Sequence, residues 1–345
     1  MQRMSKSVML VWLVVFCLIV LAACGQPSAP ESTEETNSEQ GTEDPQADAE
    51  KGENVTQSPD AVESADGPVL QTVNIYHLGI QTPLSPEDET ATRFAETVEE
   101  LCQQAKTQEN AVTGMRVTAE HALQAGIALE IVYLQPDGTE DWMLFVPMFD
   151  DGNNVWENVV YAGNPTDADD DGGLKEMLPL NVVEDGADFS EELSAYALDN
   201  LEQALFEGDT VDVCGMTAPY DAEASAEIAD PLRSQLLYRA FAFYQNTCNQ
   251  NFLAMHAFTA GELYETLHAS AMFSQFDEDG IFAFPGLEEI ADRLRGETLR
   301  KVTINETDSG YCVRLDVEIG DVLTIDFVLE ESGLPLVEMF DFSMV

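Results

Sequence analysis

The acidic segment around residue 170 carries the most specific arrangement of ligand-type side chains in this sequence. Asp167, Asp169 and Asp171 alternate along it, and Gly172 follows directly. A hard cation takes about six to eight oxygen ligands, and a glycine lets the backbone turn sharply around it. The pattern therefore predicts a calcium site formed by the three aspartates. Leu178 stands where a twelve-residue calcium loop has a bidentate Glu, so a solvated acidic turn is the alternative.

Four cysteines, Cys102, Cys214, Cys248 and Cys312, lie in the part of the chain that we expect to fold. In an exported protein four thiols can form two disulfides, with three possible connectivities. We predict a Cys248–Cys312 disulfide because both residues fall in one predicted domain, and four buried free thiols are the alternative. The sequence has no C-x-x-C spacing and no close Cys/His group, which argues against a thioredoxin-like site or a zinc site.

The sequence contains no familiar catalytic motif. The four histidines, His77, His121, His256 and His268, are scattered and form no H-E-x-x-H pattern, so we interpret them as structural. A G-x-S-x-G turn, a phosphate-binding glycine loop and a dinucleotide fingerprint are also missing. We therefore assign no catalytic residue and no organic cofactor, and the sequence favours a non-catalytic role.

The N-terminus has the layout of a secretory signal. Arg3 and Lys6 precede an apolar run over residues 8–21, and Leu21-Ala22-Ala23-Cys24-Gly25 follows. This order resembles the lipobox of bacterial lipoproteins. The resemblance implies a signal peptide over residues 1–23, its removal, and a diacylglycerol on the Cys24 sulfur. It places the chain on the extracytoplasmic face of a membrane. An uncleaved transmembrane anchor is the alternative, although the run is shorter than the ~20 residues that a spanning helix needs.

Residues 24–68 are predicted to be a disordered acidic linker behind the lipidated Cys24. Residues 25–68 hold twelve acidic residues, one Lys51 and no aromatic residue, so they cannot bury enough surface to order the chain. As a coil this tether would span about 35–40 Å. The whole chain has a net charge of −51, which repels nucleic acid and anionic lipid headgroups. Cations, basic proteins or an unknown envelope protein are the partners that this charge allows.

The remainder is predicted to be α+β, in two domains with antiparallel sheets. Residues 69–215 have an alternation that predicts a strand, a helix that opens with Ser85 as its cap, three more strands and a helix over residues 190–206. Residues 216–229 are predicted to be a connector. Residues 230–345 are predicted to form helices followed by four strands, over 299–306, 311–319, 322–330 and 335–342.

The second predicted domain resembles the cystatin/NTF2-like arrangement, in which a curved sheet wraps around a long helix. The residues that carry this resemblance are the helical segment LLYRAFAFY and the strands DVLTIDFVLEE and LPLVEMFDF. It implies a cone between helix and sheet that holds a small ligand in some relatives and an active site in others.

Together these patterns predict a lipid-anchored extracytoplasmic protein with a non-catalytic binding role or a structural role in the envelope. Two alternatives remain open from the sequence. One is an extracytoplasmic enzyme with its site in the cone of residues 230–345. The other is a module that binds calcium or a small ligand.

Overall fold

The computed structural model describes residues 67–107, 118–124, 126–150, 155–163, 181–182, 186–274 and 287–344, and every structural statement below concerns these ranges. The fold is α+β with antiparallel sheets, as the sequence predicts. The signal peptide, Cys24, the linker up to residue 66, and the candidate calcium ligands Asp167, Asp169 and Asp171 lie outside the described residues.

The first sheet has the strand order β2-β1-β3-β4-β5-β6 and is antiparallel throughout. Its strands are Val69–His77 (β1), Ile80–Leu84 (β2), Ile127–Leu134 (β3), Glu140–Asp150 (β4), Val155–Gly163 (β5) and Asn181–Val182 (β6). Alternate residues of these strands face opposite sides, so each face buries its own apolar set.

One face of this sheet is covered by the helices α1, Glu89–Thr107, and α3, Ala187–Tyr196. The sequence predicts that α1 opens at Ser85, but the helix begins at Glu89. The reason is that Asp88 acts as the cap, because its carboxylate accepts the backbone N–H of Thr90 at 2.7 Å. Ser85 lies in the preceding turn, where its carbonyl accepts the N–H of Asp88. A short helix, α2 (Ala119–Leu123), leads into β3.

The helix predicted over residues 190–206 ends earlier than expected. After α3 a single π-helical turn covers Ala197–Leu201, and the chain then extends into the strand β7, Leu205–Glu207. Gly208, at a φ of 62°, allows the tight turn into β8, Thr210–Val213. The apolar residues of this segment are spaced for a helix. The turn at Gly208 and the pairing of β7 with β8 nevertheless favour an extended chain.

The segment predicted as a connector contains a strand. β9, Met216–Pro219, completes a three-stranded sheet of order β7-β8-β9. Beyond it the backbone N–H of Asp221 bonds to the carbonyl of Val302, and Ala226 bonds in the same way to Ile304. This segment therefore lies along the edge of the last sheet rather than spanning free space.

The helix α4, Asp230–Asn249, is the central element, with Pro231 in its first turn. Three helices follow it: Phe252–His256 (α5), Gly261–Ser274 (α6) and Leu287–Leu294 (α7). The last sheet is an antiparallel meander of Leu299–Glu306 (β10), Gly310–Val317 (β11), Val322–Leu329 (β12) and Pro335–Ser343 (β13). The four strands agree with the sequence prediction.

The apolar face of this meander and the second face of the first sheet share one hydrophobic core with α4. Leu144 and Val146 of β4, Phe241 and Phe243 of α4, and Ile325 of β12 are fully buried in it. The described residues all fall in one compact unit, Ala61–Val345. The division into domains at 216–229 stays a prediction.

The β1–β2 turn is pressed against α4 and α5. Leu78 and Gly79 both have positive φ, which a two-residue hairpin of this hand requires. The amide of Asn246 donates to the Leu78 carbonyl at 2.7 Å. A Cβ on Gly79 would lie 2.2 Å from Asn246 Oδ1 and 2.8 Å from the Cβ of Ala254. Glycine is thus required here by both conformation and space.

We expect Gly79→Ala to destabilise the protein more than Gly138→Ala. Gly138 also has a positive φ but would meet no atom within 4 Å, so its replacement costs only the strain of about 1–2 kcal/mol. At Gly79 the overlap adds about 1–3 kcal/mol. Urea denaturation of both variants measures the difference. Equal losses for the two variants would show that the turn is not packed as described.

Candidate functional site: an apolar groove beside an aromatic cluster

A groove of about 450 Å³ opens where the first sheet, the α5–α6 region and the β12–β13 turn meet. We define the groove by six wall residues: Ile127, Phe149, Leu253, His256, Tyr264 and Leu336. Its rim carries Met148 and Val155, whose side chains are 59% and 57% exposed. Glu330, which is exposed, also lines the groove.

Backbone hydrogen bonds hold the walls of the groove together. Asn251 caps α5 by accepting the N–H of Ala254 at 3.1 Å. The segment after α5 then pairs with β13, because Val337 donates to Phe258 O at 2.9 Å and accepts from Ala260 N at 2.8 Å. The wall from α5 is thereby fixed to the wall from β13, and the groove is a preformed feature of the fold.

Two rings, His256 and Tyr264, line the groove, and the ring of His268 packs against both of them. The ring centroids of His256 and Tyr264 are 5.8 Å apart, and the centroids of His256 and His268 are 5.3 Å apart. Tyr264 and His268 stack at 5.4 Å, because positions four apart lie on one face of a helix. His256 is buried and Tyr264 is half-buried. The cluster gives an otherwise apolar groove an aromatic and hydrogen-bonding side.

A second polar group is buried between the first sheet and α4. Glu202 is completely buried and accepts from Arg239 Nε at 3.0 Å and from Arg239 Nη2 at 2.7 Å. The ring of His77 donates from Nε2 to the same carboxylate at 2.8 Å, since an ionised carboxylate can only accept. Burial alone would raise the pKa of Glu202, but the His77 hydrogen bond and the Arg239 charge lower it below its ordinary value.

This buried ion pair connects distant elements. Arg239 Nη1 also donates to the carbonyl of Pro335 at the start of β13, at 2.9 Å. Tyr238 donates to the carbonyl of His77 at 3.2 Å and stacks on its ring. Strand β1, the π-helical turn, α4 and β13 are therefore joined at one point. We assign this group a structural role, because the hydrogen bonds of Glu202, Arg239 and His77 Nε2 hold these elements together.

Among the described residues, a buried carboxylate in the first sheet is bound by three neutral donors. Glu130 accepts from Asn74 Nδ2 at 2.7 Å, from Tyr76 Oη at 3.0 Å and from Trp142 Nε1 at 3.0 Å. Burial and the nearby carboxylate raise the pKa of Tyr76, so its hydroxyl keeps its proton and continues to donate. The three donors fix the side chains of β1, β3 and β4 on one face of the sheet.

The structure does not bring Cys248 and Cys312 together as a disulfide, in contrast to the prediction. Cys248 is buried near the end of α4, Cys312 lies on β11, and all four described cysteines are free. Burial raises the pKa of Cys248 to about 11 and that of Cys312 to about 12. Both thiols are therefore protonated at neutral pH and are weak nucleophiles.

The other predicted site residues lie outside the described ranges. Calcium binding by Asp167, Asp169 and Asp171, and lipidation of Cys24, stay predictions. Within the described ranges, no three His, Cys, Asp or Glu side chains form a group that could hold a metal ion.

The groove was missed in the sequence because its walls come from separate segments. The spacing of Tyr264 and His268, one helical turn apart, is a local signal that could have pointed to the aromatic cluster.

No protein-family model, no curated protein and no solved structure matches the chain. Among the described helices, none is both long and apolar enough to cross a membrane.

Proposed function

We propose that this protein is a lipid-anchored, extracytoplasmic binding protein whose groove holds a small apolar ligand. The observation that carries the binding role is the groove itself. Its volume of about 450 Å³ falls within the range of about 300–1,000 Å³ that is usual for small-molecule sites. Apolar walls with a few polar groups on one side are also typical of such sites, because the walls supply affinity and the polar groups supply orientation.

The anchoring half of the proposal is supported by the sequence of the leader. Cys24 follows a small-residue pair and an apolar run, and a lipid on its sulfur would hold the chain at the membrane. Residues 25–68 would then act as an acidic tether of about 35–40 Å. In this arrangement the groove samples the space next to the membrane surface on the extracytoplasmic side.

We also propose that residues 230–344 have the cystatin/NTF2-like arrangement. Its support is the long helix α4, packed against an antiparallel sheet of four consecutive strands. Side chains such as Phe241, Ile304 and Ile325 fill the space between helix and sheet. The groove therefore lies beside the cone rather than within it, which favours a binding role for the α5–α6 side of this region.

Filling the groove should strongly weaken binding of an apolar probe. Ala257 is exposed on the groove wall, and a Trp there would occupy the space without disturbing the core. We expect Ala257→Trp to weaken binding of the neutral dye N-phenyl-1-naphthylamine about tenfold or more, because most of its buried apolar contact is lost. The measurement is dye fluorescence with the chain from residue 24 onward carrying Cys24→Ser.

Ala222→Trp provides the matched control, since Ala222 is also exposed but does not line the groove. Its affinity for the dye should equal that of the parent chain. If both variants bind the dye as the parent does, the groove is not the binding site.

A further inference from the structure

The charges around the groove restrict the ligands that it can accept. Among the described residues that line it, Glu330 is the only Asp, Glu, Lys or Arg. Its side chain is exposed, and Glu331 follows it at the surface. The ion pairs in the described part of the chain do not involve Glu330. A carboxylate that pairs with no cation among the described residues thus lines an apolar groove.

The field of the whole chain has the same sign. With 65 acidic against 14 basic residues, the chain repels an anionic ligand and attracts a cationic one. Charges that are more than about 10 Å away are screened at ordinary ionic strength, so the residue at the groove itself decides most of the selectivity.

The aromatic side of the groove also suits a positive group. Tyr264 lines the same space as the apolar walls, and an aromatic ring attracts a cation that lies over its face within about 6 Å of its centroid. Met148 and Val155 at the rim are exposed to solvent, so covering them with the apolar part of a ligand would be favourable. The groove therefore offers an apolar surface together with two groups that favour positive charge.

We propose that the groove binds a small cationic amphiphile, with its apolar part against Ile127, Leu253 and Leu336 and its positive group near Glu330 and Tyr264. This inference rests on the proposed function, because it names the ligand class of the same groove. It goes beyond that function in assigning a sign of charge to the ligand and a recognition role to Glu330.

Three probes with the same ten-carbon tail test the inference: decyltrimethylammonium, decanol and decanoate. Each is used below its micellar concentration to displace N-phenyl-1-naphthylamine from the chain that starts at residue 24 with Cys24→Ser. We expect the cation to bind about fivefold or more tightly than the anion, with the alcohol between them. Raising the salt concentration from about 20 to about 200 mM should reduce this difference.

A pair of variants separates recognition in the groove from general attraction to an acidic protein. Glu330→Gln should weaken binding of decyltrimethylammonium about two- to fivefold and leave the affinity for decanol unchanged. Glu100→Gln, on the exposed side of α1, removes the same charge far from the groove and should change neither. Cation binding that responds equally to the two variants would overturn the role of Glu330.

The outcomes distinguish this inference from the function on which it rests. If the three probes bind equally, or if decanoate binds most tightly, and Ala257→Trp still blocks them, the groove binds apolar molecules but the ligand class is wrong. If no probe displaces the dye in a way that depends on Ala257, the proposed function itself fails.

Discussion

Arg239→Met is expected to lower the free energy of unfolding by about 3–5 kcal/mol, because it leaves the buried Glu202 carboxylate without its cation. Arg239 is only 3% exposed and Glu202 is completely buried, so water cannot replace the lost hydrogen bonds. The substitution also removes the bond from Arg239 to the carbonyl of Pro335, which fastens β13 to α4. The shift of the urea midpoint measures the loss.

Arg314→Met is the control for this variant. Arg314 pairs with Asp316 at 2.7 Å on the exposed face of β11, and its side chain is 47% exposed. An exposed pair contributes only about 0–1 kcal/mol, so this variant should be close to the parent protein. Equal losses for Arg239→Met and Arg314→Met would contradict the structural role of the buried pair.

The Glu202 carboxylate makes the stability of the protein depend on pH in a defined direction. The pKa of Glu202 is lower in the folded protein than its ordinary value of 4.5, so the unfolded chain takes up this proton first as the pH falls. The stabilisation is therefore complete above about pH 4.5 and is lost as the pH drops through the lower folded value. Glu202→Gln should be less stable than the parent at neutral pH, and the gap should close in acid. A gap that stays constant with pH would show that Glu202 is not ionised in the folded state.

In a bacterial host, the parent protein is expected in the membrane fraction. Cys24→Ser is expected either in the soluble fraction or as a precursor from which residues 1–23 have not been removed. The reason is that two acyl chains anchor a protein firmly, whereas the acidic tether and the acidic folded region have no attraction to anionic lipids. We expect most of the parent protein, and little of the processed variant, to sediment with membranes. Fractionation followed by immunoblotting measures the distribution.

Cys17→Ser is the matched control, since Cys17 lies inside the apolar run and would leave with the leader. It should stay with the membranes as the parent does. If the parent protein and Cys24→Ser both keep residues 1–23 and sediment with membranes to the same extent as Cys17→Ser, the anchor is a spanning segment and the lipid has no role.

The last sheet was the part of the fold most readable from sequence. Along β11 the residues Val313, Leu315 and Val317 alternate with polar ones, and the turn at Gly320 marks the start of the next strand. Each strand pairs with its neighbour in the chain, so local alternation and local turns are enough to define the sheet.

The region around Leu205 was not readable in the same way. Its apolar residues are spaced for a helix, but Leu205 and Phe206 pair with β8 in a short hairpin. Pairing between strands is a tertiary contact and can override a local preference. The start of α1 shows a smaller effect of this kind, because Ser85 and Asp88 are both good caps and the backbone selects Asp88.

The groove and the buried ion pair depend on contacts that no local pattern contains. His77 lies 125 positions from Glu202, and Glu202 lies 37 positions from Arg239. The walls of the groove come from segments between Ile127 and Leu336. A single sequence shows the spacing of nearby residues but not which distant residues come into contact. For that reason His256 and His268 were both interpreted as structural, and their packing with Tyr264 was not predicted.

The mass of the native protein, extracted from membranes and measured intact and after digestion, tests the central claim most directly. The account predicts a chain that begins at Cys24 and carries a diacylglyceryl group on that sulfur. A free thiol at Cys24, or a chain that still contains residues 1–23, would contradict it.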